Sequence, residues 1–302
     1  AHQVEEEGRQ NIAGVNQRRA ACHQQPACIQ IAGTVAVHRL ARARVRARDV
    51  DIELIRQYVE AFGLQPILVP DLSRSMDGHL VKQDYLSVSQ GGADVNLLRQ
   101  LGQSSLTLVV GPSMQRAGQL LNARSGVESV YFPHLMTLAE VDRFIHALQQ
   151  VSDRQVPEWI ERQRGQVTDT MIDTHTWVNS RTLAIGAEAD LLSAWVNFAR
   201  SVGILPISVV APVNQPSLSA IPTDSVHVGD LQDLLDGITI SGSMPDYLLA
   251  NSHGADLADE LHVPLIRIGF PVYDRFGEFR RTRHGYAGMR DTLFEFANLS
   301  QS

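Results

Sequence analysis

The chain has 302 residues, of which 44% are hydrophobic, and its formal net charge is −7 at pH 7. This length allows about two domains of ~150 residues each, and the acidic balance gives no reason to expect nucleic acid as the main partner. Because no apolar run reaches the ~18–20 residues of a membrane span and the N-terminus lacks the features of a signal peptide, we expect a cytoplasmic protein without a membrane partner.

Residues 1–50 differ in composition from the rest of the chain. They hold eight arginines, four acidic residues and no Phe, Trp or Tyr. The alternation of Arg with Ala, Leu or Val from Arg39 to Asp49 predicts a strand with one basic face, and nothing before it predicts a partner strand. Three interpretations stay open: a basic arm that binds an acidic partner, a disordered lead-in, or a non-native segment caused by truncation or a reading-frame error.

A first α/β series follows in residues 51–155. Ile52, Ile55 and Val59 share one face of a predicted helix, and Gly63 is placed to end that helix. Further along, the sequence predicts a strand in QPILVPDL, a helix near Ala93–Leu101, a strand SLTLVV, a helix near Ser113–Ala123, a strand VESVYF and a helix from Leu138 to Leu148. This alternation is typical of a parallel sheet covered by helices.

A second series occupies residues 156–302. Pro157 opens a long predicted helix, since a proline is well tolerated at the first turn of a helix. We expect this helix to bridge two domains. The later elements are strand RTLAIG, helix ADLLSAWVNFARS, strands ILPISVV and SVHVG, helix DLQDLLD, strand DYLLA, helix ADLADELH, strand PLIRIGF and a closing helix MRDTLFEFANL. The fold class predicted for the chain is therefore α/β, with two Rossmann-like units built on parallel sheets.

The loop Pro70–His79 is the first candidate site. It follows a predicted strand, and open α/β sheets bind ligands beyond the carboxyl ends of their strands. Asp71, Ser73, Asp77 and His79 therefore predict a partner or ligand loop. The alternative is a loop held by Asx and Ser turns. An acid/base role for Asp71 and His79 is disfavoured, since no nucleophile pattern accompanies them.

Two other segments favour structural roles. In Ala184–Trp195 a strand runs into one glycine and then a helix, but the G-x-G-x-x-G spacing of a dinucleotide turn is absent. Glu188 and Asp190 suit the positive end of the helix dipole and would repel a nucleotide phosphate placed there. The second case is His175, because a lone histidine on a helix is more often a structural residue than a ligand.

The turn Asn251–Gly254 comes directly after a predicted strand that ends at Ala250. Asn251 or Ser252 is expected to cap the following helix, where backbone N–H groups are able to receive an anion or a partner carboxylate. A nucleophilic Ser252 activated by His253 is disfavoured, since adjacent side chains rarely point at each other. We therefore expect a cap and a turn.

The last candidate site follows a predicted buried strand, Ile266–Phe270. The loop after it carries four arginines and a histidine: Arg275, Arg280, Arg281, Arg283 and His284. Guanidinium groups are permanently charged and suit carboxylates and other planar anions. We predict an anion or partner surface here. It would attract an anionic cluster or an organic acid, or it would pair with acids across a subunit interface, and both interpretations stay open.

Five segments, DLSRSMDGHL, DTHTW, ANSHG, PLIRIGFPVYDR and HGYAG, resemble the nitrogenase component 1 family in this order, over roughly Asp51 to the C-terminus. Within that family the chain is similar to the β-like subunits of the scaffold for iron–molybdenum cofactor biosynthesis. The resemblance implies a protein of three Rossmann-like domains, of which this chain holds the last two. The α-like subunits carry a cofactor-ligating His where this chain has Arg275, so the resemblance implies a β-type chain.

An assembly scaffold, more than a catalyst, is the function that the resemblance implies. Such a chain would pair with an α-like (NifE-type) subunit in an α2β2 heterotetramer and would work with the cofactor-donating and reductase proteins of nitrogenase assembly. The iron–sulfur or iron–molybdenum cofactor precursor would be held mainly by the partner subunit. Cys22 and Cys28 do not sit in the family's cysteine pattern and are too few for a four-ligand site, so no metal ligand or catalytic residue is assigned here.

Two alternative functions stay open at this point. One is the β subunit of nitrogenase molybdenum–iron protein or a related oxidoreductase, which would need cluster-bridging cysteines in a first domain. The other is a two-lobed ligand-binding protein built on two Rossmann-like units, which would be a monomer.

Overall fold

The computed structural model describes residues 28–33, 49–71 and 93–301, which fall into two compact units. The first unit contains residues 28–33, 49–71, 93–132 and 142–157. The second unit contains residues 133–141 and 158–301. Each unit is built on a parallel sheet with helices between its strands, which confirms the predicted α/β fold class.

The first unit has its described strands in the order β2-β1-β3-β4, and every neighbouring pair is parallel. Its elements are β1 (Cys28–Gly33), α1 (Asp49–Ala61), β2 (Gln65–Val69), α2 (Val95–Leu98), β3 (Leu106–Val110), α3 (Gln115–Ser125), β4 (Ser129–Phe132) and the greater part of α4 (Leu138–Ser152). The elements predicted for residues 51–155 are all present, although α2 is shorter than expected.

Strand β1 was not predicted, and it lies between β2 and β3. In the register of the sheet, Ile31 is opposite Leu68 on one side and Leu108 on the other. A strand therefore precedes Arg39 where the sequence predicted none, and its partners are β2 and β3. The predicted basic strand from Arg39 lies outside the described residues except for its last residue, Asp49, which begins α1.

Aromatic side chains form part of the first unit's core. Phe132 and Phe144 are fully buried, with ring centroids 5.3 Å apart in an edge-on arrangement, and Tyr58 lies 6.4 Å from Phe144. Such edge-on pairs stabilise a core beyond the area that they bury. Gly63 follows α1 with a φ of +67°, which is the left-handed conformation expected of a glycine that ends a helix.

The second unit contains a parallel sheet in the order β7-β6-β5-β8-β9. Its elements are α5 (Glu158–Val178), β5 (Thr182–Gly186), α6 (Ala189–Ser201), β6 (Leu205–Ala211), β7 (His227–Val228), α7 (Leu231–Ser241), β8 (Tyr247–Ala250), α8 (Ala255–Leu261), β9 (Leu265–Arg267) and α9 (Gly285–Leu299). Helix α5, which we expected to bridge the two domains, belongs to this unit and packs along α9.

A cluster of large aromatic residues stabilises the second unit. Trp195, Phe198, Tyr247 and Phe296 are fully buried, and the closest ring centroids, those of Tyr247 and Phe296, are 4.7 Å apart. The Tyr247 hydroxyl donates a hydrogen bond to the carbonyl oxygen of Phe296 at 3.2 Å. This bond satisfies the polar end of a buried ring, as a core position requires.

Strand β9 ends earlier than predicted. The pairing with β8 stops at Arg267, and one more backbone bond joins the N–H of Ile268 to the carbonyl of Ala250. Gly269 then takes a φ of +68°, which an extended strand does not contain, so the chain turns before Phe270. Within the described ranges, every helix is too short or too polar to cross a membrane.

Candidate functional site

A cavity of about 340 Å³ opens at the carboxyl ends of the strands of the second sheet. Its lining residues lie at the ends of β5, β6, β7, β8 and β9 or shortly after them, and we call it the edge cavity: Gly186, Ala187, Glu188, Val210, Pro212, Gly229, Asp230, Leu231, Asn251, His253, Ile268, Gly269 and Phe270. Ligands of open α/β sheets bind at this edge because the loops that follow parallel strands converge there.

Glu188 brings a carboxylate to the edge cavity. It occupies the position before α6, but its side chain does not cap that helix. Its Oε2 is buried and accepts no hydrogen bond from any described residue. Burial raises the pKa of the Glu188 carboxyl, and the nearby charge of Asp190 raises it further. The sequence placed both acids in the first turn of the helix, and it gave no sign that one of them would be unsatisfied.

Asp230 also lines the edge cavity, and it caps α7. Its Oδ1 accepts from the N–H groups of Gln232 at 2.8 Å and Asp233 at 3.4 Å, while Asp233 Oδ2 accepts from the N–H of Asp230 at 2.8 Å. This reciprocal pattern is a capping box. A side chain at Gly229 would place its Cβ 1.9 Å from Asp233 Oδ2 and would displace that carboxylate from the capping box. The three-residue spacing of Asp230 and Asp233 is the sequence signal of this capping box.

Asn251 fulfils the predicted role of a cap. Its Oδ1 accepts from the N–H of His253 at 3.0 Å, and its Nδ2 donates to the carbonyl oxygen of Phe270 at 3.0 Å. The His253 ring is exposed and meets Tyr273 edge-on, with centroids 5.8 Å apart. Asn251 therefore joins the turn after β8 to the turn after β9.

Ser252 and Arg267 hold Asp274 from two sides. Ser252 Oγ donates to Asp274 Oδ1, and Arg267 Nε and Nη2 donate to Asp274 Oδ2 at 2.8 and 2.7 Å. The hydrogen bond from Arg267, followed by that from Ser252, lowers the pKa of Asp274 to about 2. Since the Ser252 hydroxyl is engaged by this carboxylate, the geometry agrees with the expectation that Ser252 and His253 are not a nucleophile–base pair.

The predicted arginine surface divides into a buried and an exposed part. Arg283 is buried and bonds Glu278 Oε1 at 2.7 Å and also Glu295, and its guanidinium carbon lies 5.7 Å from the Trp195 ring centre. Arg281 bonds Glu295 Oε1 at 2.9 Å. These two guanidinium groups are therefore neutralised by acids of the same chain, which was not among the two interpretations drawn from the sequence.

Glu295 shows the electrostatic effect of this network. Burial alone would raise the pKa of its carboxyl, but the hydrogen bonds and charges of Arg283 and Arg281 outweigh burial and hold that pKa below its ordinary value. The carboxylate therefore stays ionised between two guanidinium groups, as a buried acid must if the pair is to remain compensated.

The other members of the predicted surface differ in exposure. Arg275 and Arg280 have exposed side chains, and Arg275 Nε lies 3.8 Å from Glu278 Oε2. His284 is buried at the start of α9, and its backbone N–H donates to Thr282 Oγ1 at 3.3 Å. An anion or partner surface stays a prediction for Arg275 and Arg280, whereas Arg283 and His284 lie beneath it.

The first candidate loop is described only at its start. Asp71 Oδ2 accepts from Arg56 Nη2 at 2.7 Å, so its carboxylate pairs with helix α1. Ser73, Asp77 and His79 lie outside the described residues. Among the described residues, no three His, Cys, Asp or Glu side chains are grouped so that they could hold a metal ion.

Comparison with protein families and with curated proteins points in one direction. Residues 40–301 match the family of nitrogenase component 1 type oxidoreductases. The nitrogenase iron-molybdenum cofactor biosynthesis protein NifN of Klebsiella pneumoniae is 52% identical over 250 residues, which are 82% of this chain and 54% of that protein. NifN of Nostoc sp. is 38% identical over 249 residues, or 82% of this chain and 55% of that protein. The chain thus spans about half the length of the curated relatives it matches.

Solved structures give the same result for the fold. The structure described as nitrogenase Cp1 at pH 6.5 superposes with a TM-score of 0.78 at 25% identity, covering 92% of this chain and 60% of that one. A second, nitrogenase Cp1 at pH 5, gives a TM-score of 0.60 at 11% identity over 92% of this chain and 57% of that one, which supports the fold alone. The chain belongs to the nitrogenase component 1 family.

Proposed function

We propose that the chain acts in a scaffold subunit for biosynthesis of the nitrogenase iron–molybdenum cofactor. The observation that carries this proposal is the 52% identity to NifN of Klebsiella pneumoniae over 82% of the chain. Nitrogenase Cp1 is 25% identical over an alignment that covers 92% of this chain, so the similarity is greater to the biosynthesis protein.

In this role the iron–sulfur or iron–molybdenum precursor is cargo. An α-like, NifE-type subunit holds it, and the present chain supplies a shaped wall beside that partner in an α2β2 heterotetramer. This assignment is supported by the family resemblance and by the identity to NifN of Klebsiella pneumoniae. Cofactor-donating and reductase proteins of nitrogenase assembly are the further partners of such a scaffold, whose work takes place in the cytoplasm.

The loop Pro271–Arg280 is the part of the second unit best suited to meet a partner. Asp274 is held by Arg267 and Ser252 before the tip of the loop, and Glu278 is held by Arg283 after it. Phe276 is fully exposed at that tip. A loop fixed at both ends loses little conformational entropy on binding, and aromatic and arginine side chains are enriched in protein interfaces.

Complementation of nitrogen fixation tests the proposed function. The matching 250 residues of Klebsiella pneumoniae NifN are replaced by those of this chain, and the chimera is placed in a strain that lacks its own NifN. We expect growth on dinitrogen with molybdate. Failure to grow, although the chimera accumulates as folded protein, would contradict the proposal.

The β subunit of nitrogenase is the alternative, and the TM-score of 0.78 to nitrogenase Cp1 favours it as a second candidate. The same replacement made in the nitrogenase β subunit and tested in a strain without that subunit separates the two. A scaffold chain rescues only the first strain, whereas a catalytic β subunit rescues only the second. Membership of the nitrogenase component 1 family gives no support to the two-lobed ligand-binding protein.

A further inference from the structure

The walls of the edge cavity are mainly apolar. Val210, Pro212, Leu231, Ile268 and Phe270 supply aliphatic surface and one aromatic ring. The volume of about 340 Å³ lies at the lower end of the roughly 300–1,000 Å³ of small-molecule sites. The cavity therefore has the size and the lining of a site for a small ligand with an apolar body.

Negatively charged side chains predominate among the charged groups that line the edge cavity. Glu188 and Asp230 are acidic, and Asp190 adds a negative charge beside Glu188. Among the described lining residues there is no Lys or Arg, and the single basic candidate, His253, has its ring against Tyr273. An anionic ligand would be repelled by the carboxylates of Glu188 and Asp230, so the electrostatics favour a cation.

Glu188 is the polar group that still requires a partner. The carboxylate of Asp230 already accepts two backbone N–H groups, and both ends of the Asn251 amide are bonded. Glu188 Oε2, by contrast, accepts nothing from the described residues. A buried carboxylate oxygen without a donor is costly, and the last torsion of a Glu side chain is broad, so its two oxygens exchange positions easily.

We propose that the edge cavity binds a small aliphatic ammonium ion, whose N–H groups donate to Glu188 and whose carbon chain packs on the apolar walls. The ring of Phe270 adds an aromatic surface of the kind that attracts organic cations. A metal ion does not fit, because the described residues bring no three metal-binding side chains together. This site is independent of the proposed scaffold function.

Three ligands of equal chain length test this proposal without any mutation. Butylammonium, butanol and butyrate contain four carbons each, of which the last in butyrate is the carboxyl carbon, and they are titrated separately into the full chain, with binding followed by saturation-transfer NMR. We expect butylammonium to bind with a Kd on the order of millimolar, butanol to bind at least about tenfold more weakly, and butyrate not to bind. Equal affinities for the three ligands would overturn the proposal, as would preferential binding of butyrate.

Two variants locate the ammonium group. Glu188→Gln keeps the shape of the side chain but removes its charge, and we expect butylammonium affinity to fall about 10- to 100-fold. Glu260→Gln, at an exposed position of α8 outside the cavity, is the matched control and should bind like the original chain. An unchanged affinity in Glu188→Gln, or an equal loss in both variants, rules out this site. A Phe270→Leu variant gives a second readout, because loss of the ring should weaken butylammonium binding more than butanol binding.

Discussion

Arg283 and Glu278 form a salt bridge in the interior of the second unit, with 2.7 Å between Nη2 and Oε1 and both side chains only 2% exposed. Glu295 Oε2 accepts from Nη1, the other terminal nitrogen of the same guanidinium group. The charge that the sequence offers as a binding surface is therefore used within the chain to fix the loop before α9. A buried ion pair of this kind adds little net stability, yet removing one partner is costly because the other charge stays buried.

Arg283→Met is expected to destabilise the second unit by up to about 3–5 kcal/mol, since the buried Glu278 would lose its closest cation and keep the more distant contacts of Arg281 at 3.4 Å and Arg275 at 3.8 Å. Urea unfolding followed by tryptophan fluorescence measures this change, because Trp159, Trp177 and Trp195 all lie in the second unit. Arg162→Ala, at an exposed position of α5, is the control and should change stability by less than about 0.5 kcal/mol.

A double variant distinguishes charge from packing in the same network. If the cost of Arg283→Met comes from an unpaired charge, then adding Glu278→Gln should recover part of the lost stability. A double variant that is less stable than Arg283→Met would show instead that the arginine acts through its packing on Trp195.

Local features of the fold could be predicted from the sequence, and the distant pairings could not. The Asn251 cap and the left-handed Gly63 depend on neighbouring residues, and both are found where the sequence placed them. Strand β1 was missed because only its pairing with β2 and β3 identifies it, and both of these strands lie more than 30 residues further along the chain. Its segment, CIQIAG, is short and lies in a region whose composition suggested no fold.

The candidate site shows the same division. The sequence shows that arginines follow β9, but the acids that neutralise Arg283 are 5 and 12 residues away, in separate elements. Nothing in the pattern distinguishes Glu278 and Glu295 from the other acidic residues of the chain. In the same way, Glu188 was recognised as a first-turn acid, while its unsatisfied oxygen depends on what β9 and its following turn place around it.

Gly288 allows α9 to approach the chain before it. A Cβ at this position would lie 2.5 Å from the carbonyl carbon of Arg283, which is backbone and has little freedom to move. Gly288→Ala is expected to cost about 1–3 kcal/mol, as overpacking of a well-packed site does. The matched control is Gly165→Ala in α5, where nothing lies within 4 Å, and which should stabilise the helix by about 0.5–1 kcal/mol. Equal effects of the two variants in urea unfolding would contradict this account.

Asp230 is expected to contribute about 1 kcal/mol to stability through its cap on α7. Asp230→Ala removes the acceptor for the N–H groups of Gln232 and Asp233, whereas Asp230→Asn keeps an acceptor and should cost only a few tenths of a kcal/mol. Thermal unfolding of both variants measures the difference. If the two variants melt together, the cap does not stabilise the helix.

Asp274 predicts a decline of stability in acid. Its pKa in the folded chain is about 2, below the ordinary value of 3.8, so the folded state binds a proton less readily than the unfolded state does. The stabilisation is complete above about pH 4 and is lost as the pH falls towards 2. Because the ion pair with Arg267 is close to solvent, we expect less than about 1 kcal/mol. Urea unfolding between pH 2 and 5 should therefore depend less on pH in Asp274→Asn than in the original chain, with Asp173→Asn on α5 as the control.

The exposed arginines Arg275 and Arg280 are expected to take part in binding the α-like partner of the proposed scaffold. Reversing both charges, in Arg275→Glu with Arg280→Glu, should lower the affinity for that partner at least about tenfold and weaken its dependence on salt, since exposed charges act through screened attraction. Arg162→Glu with Arg200→Glu, at exposed positions of α5 and α6, is the charge-matched control. Surface plasmon resonance against the purified NifE-type subunit measures all three proteins. If the original chain does not bind this subunit, the proposed function fails. If the original chain and the double variant bind equally, the arginines are not part of the interface, and the partner meets another face of the second unit or the first unit.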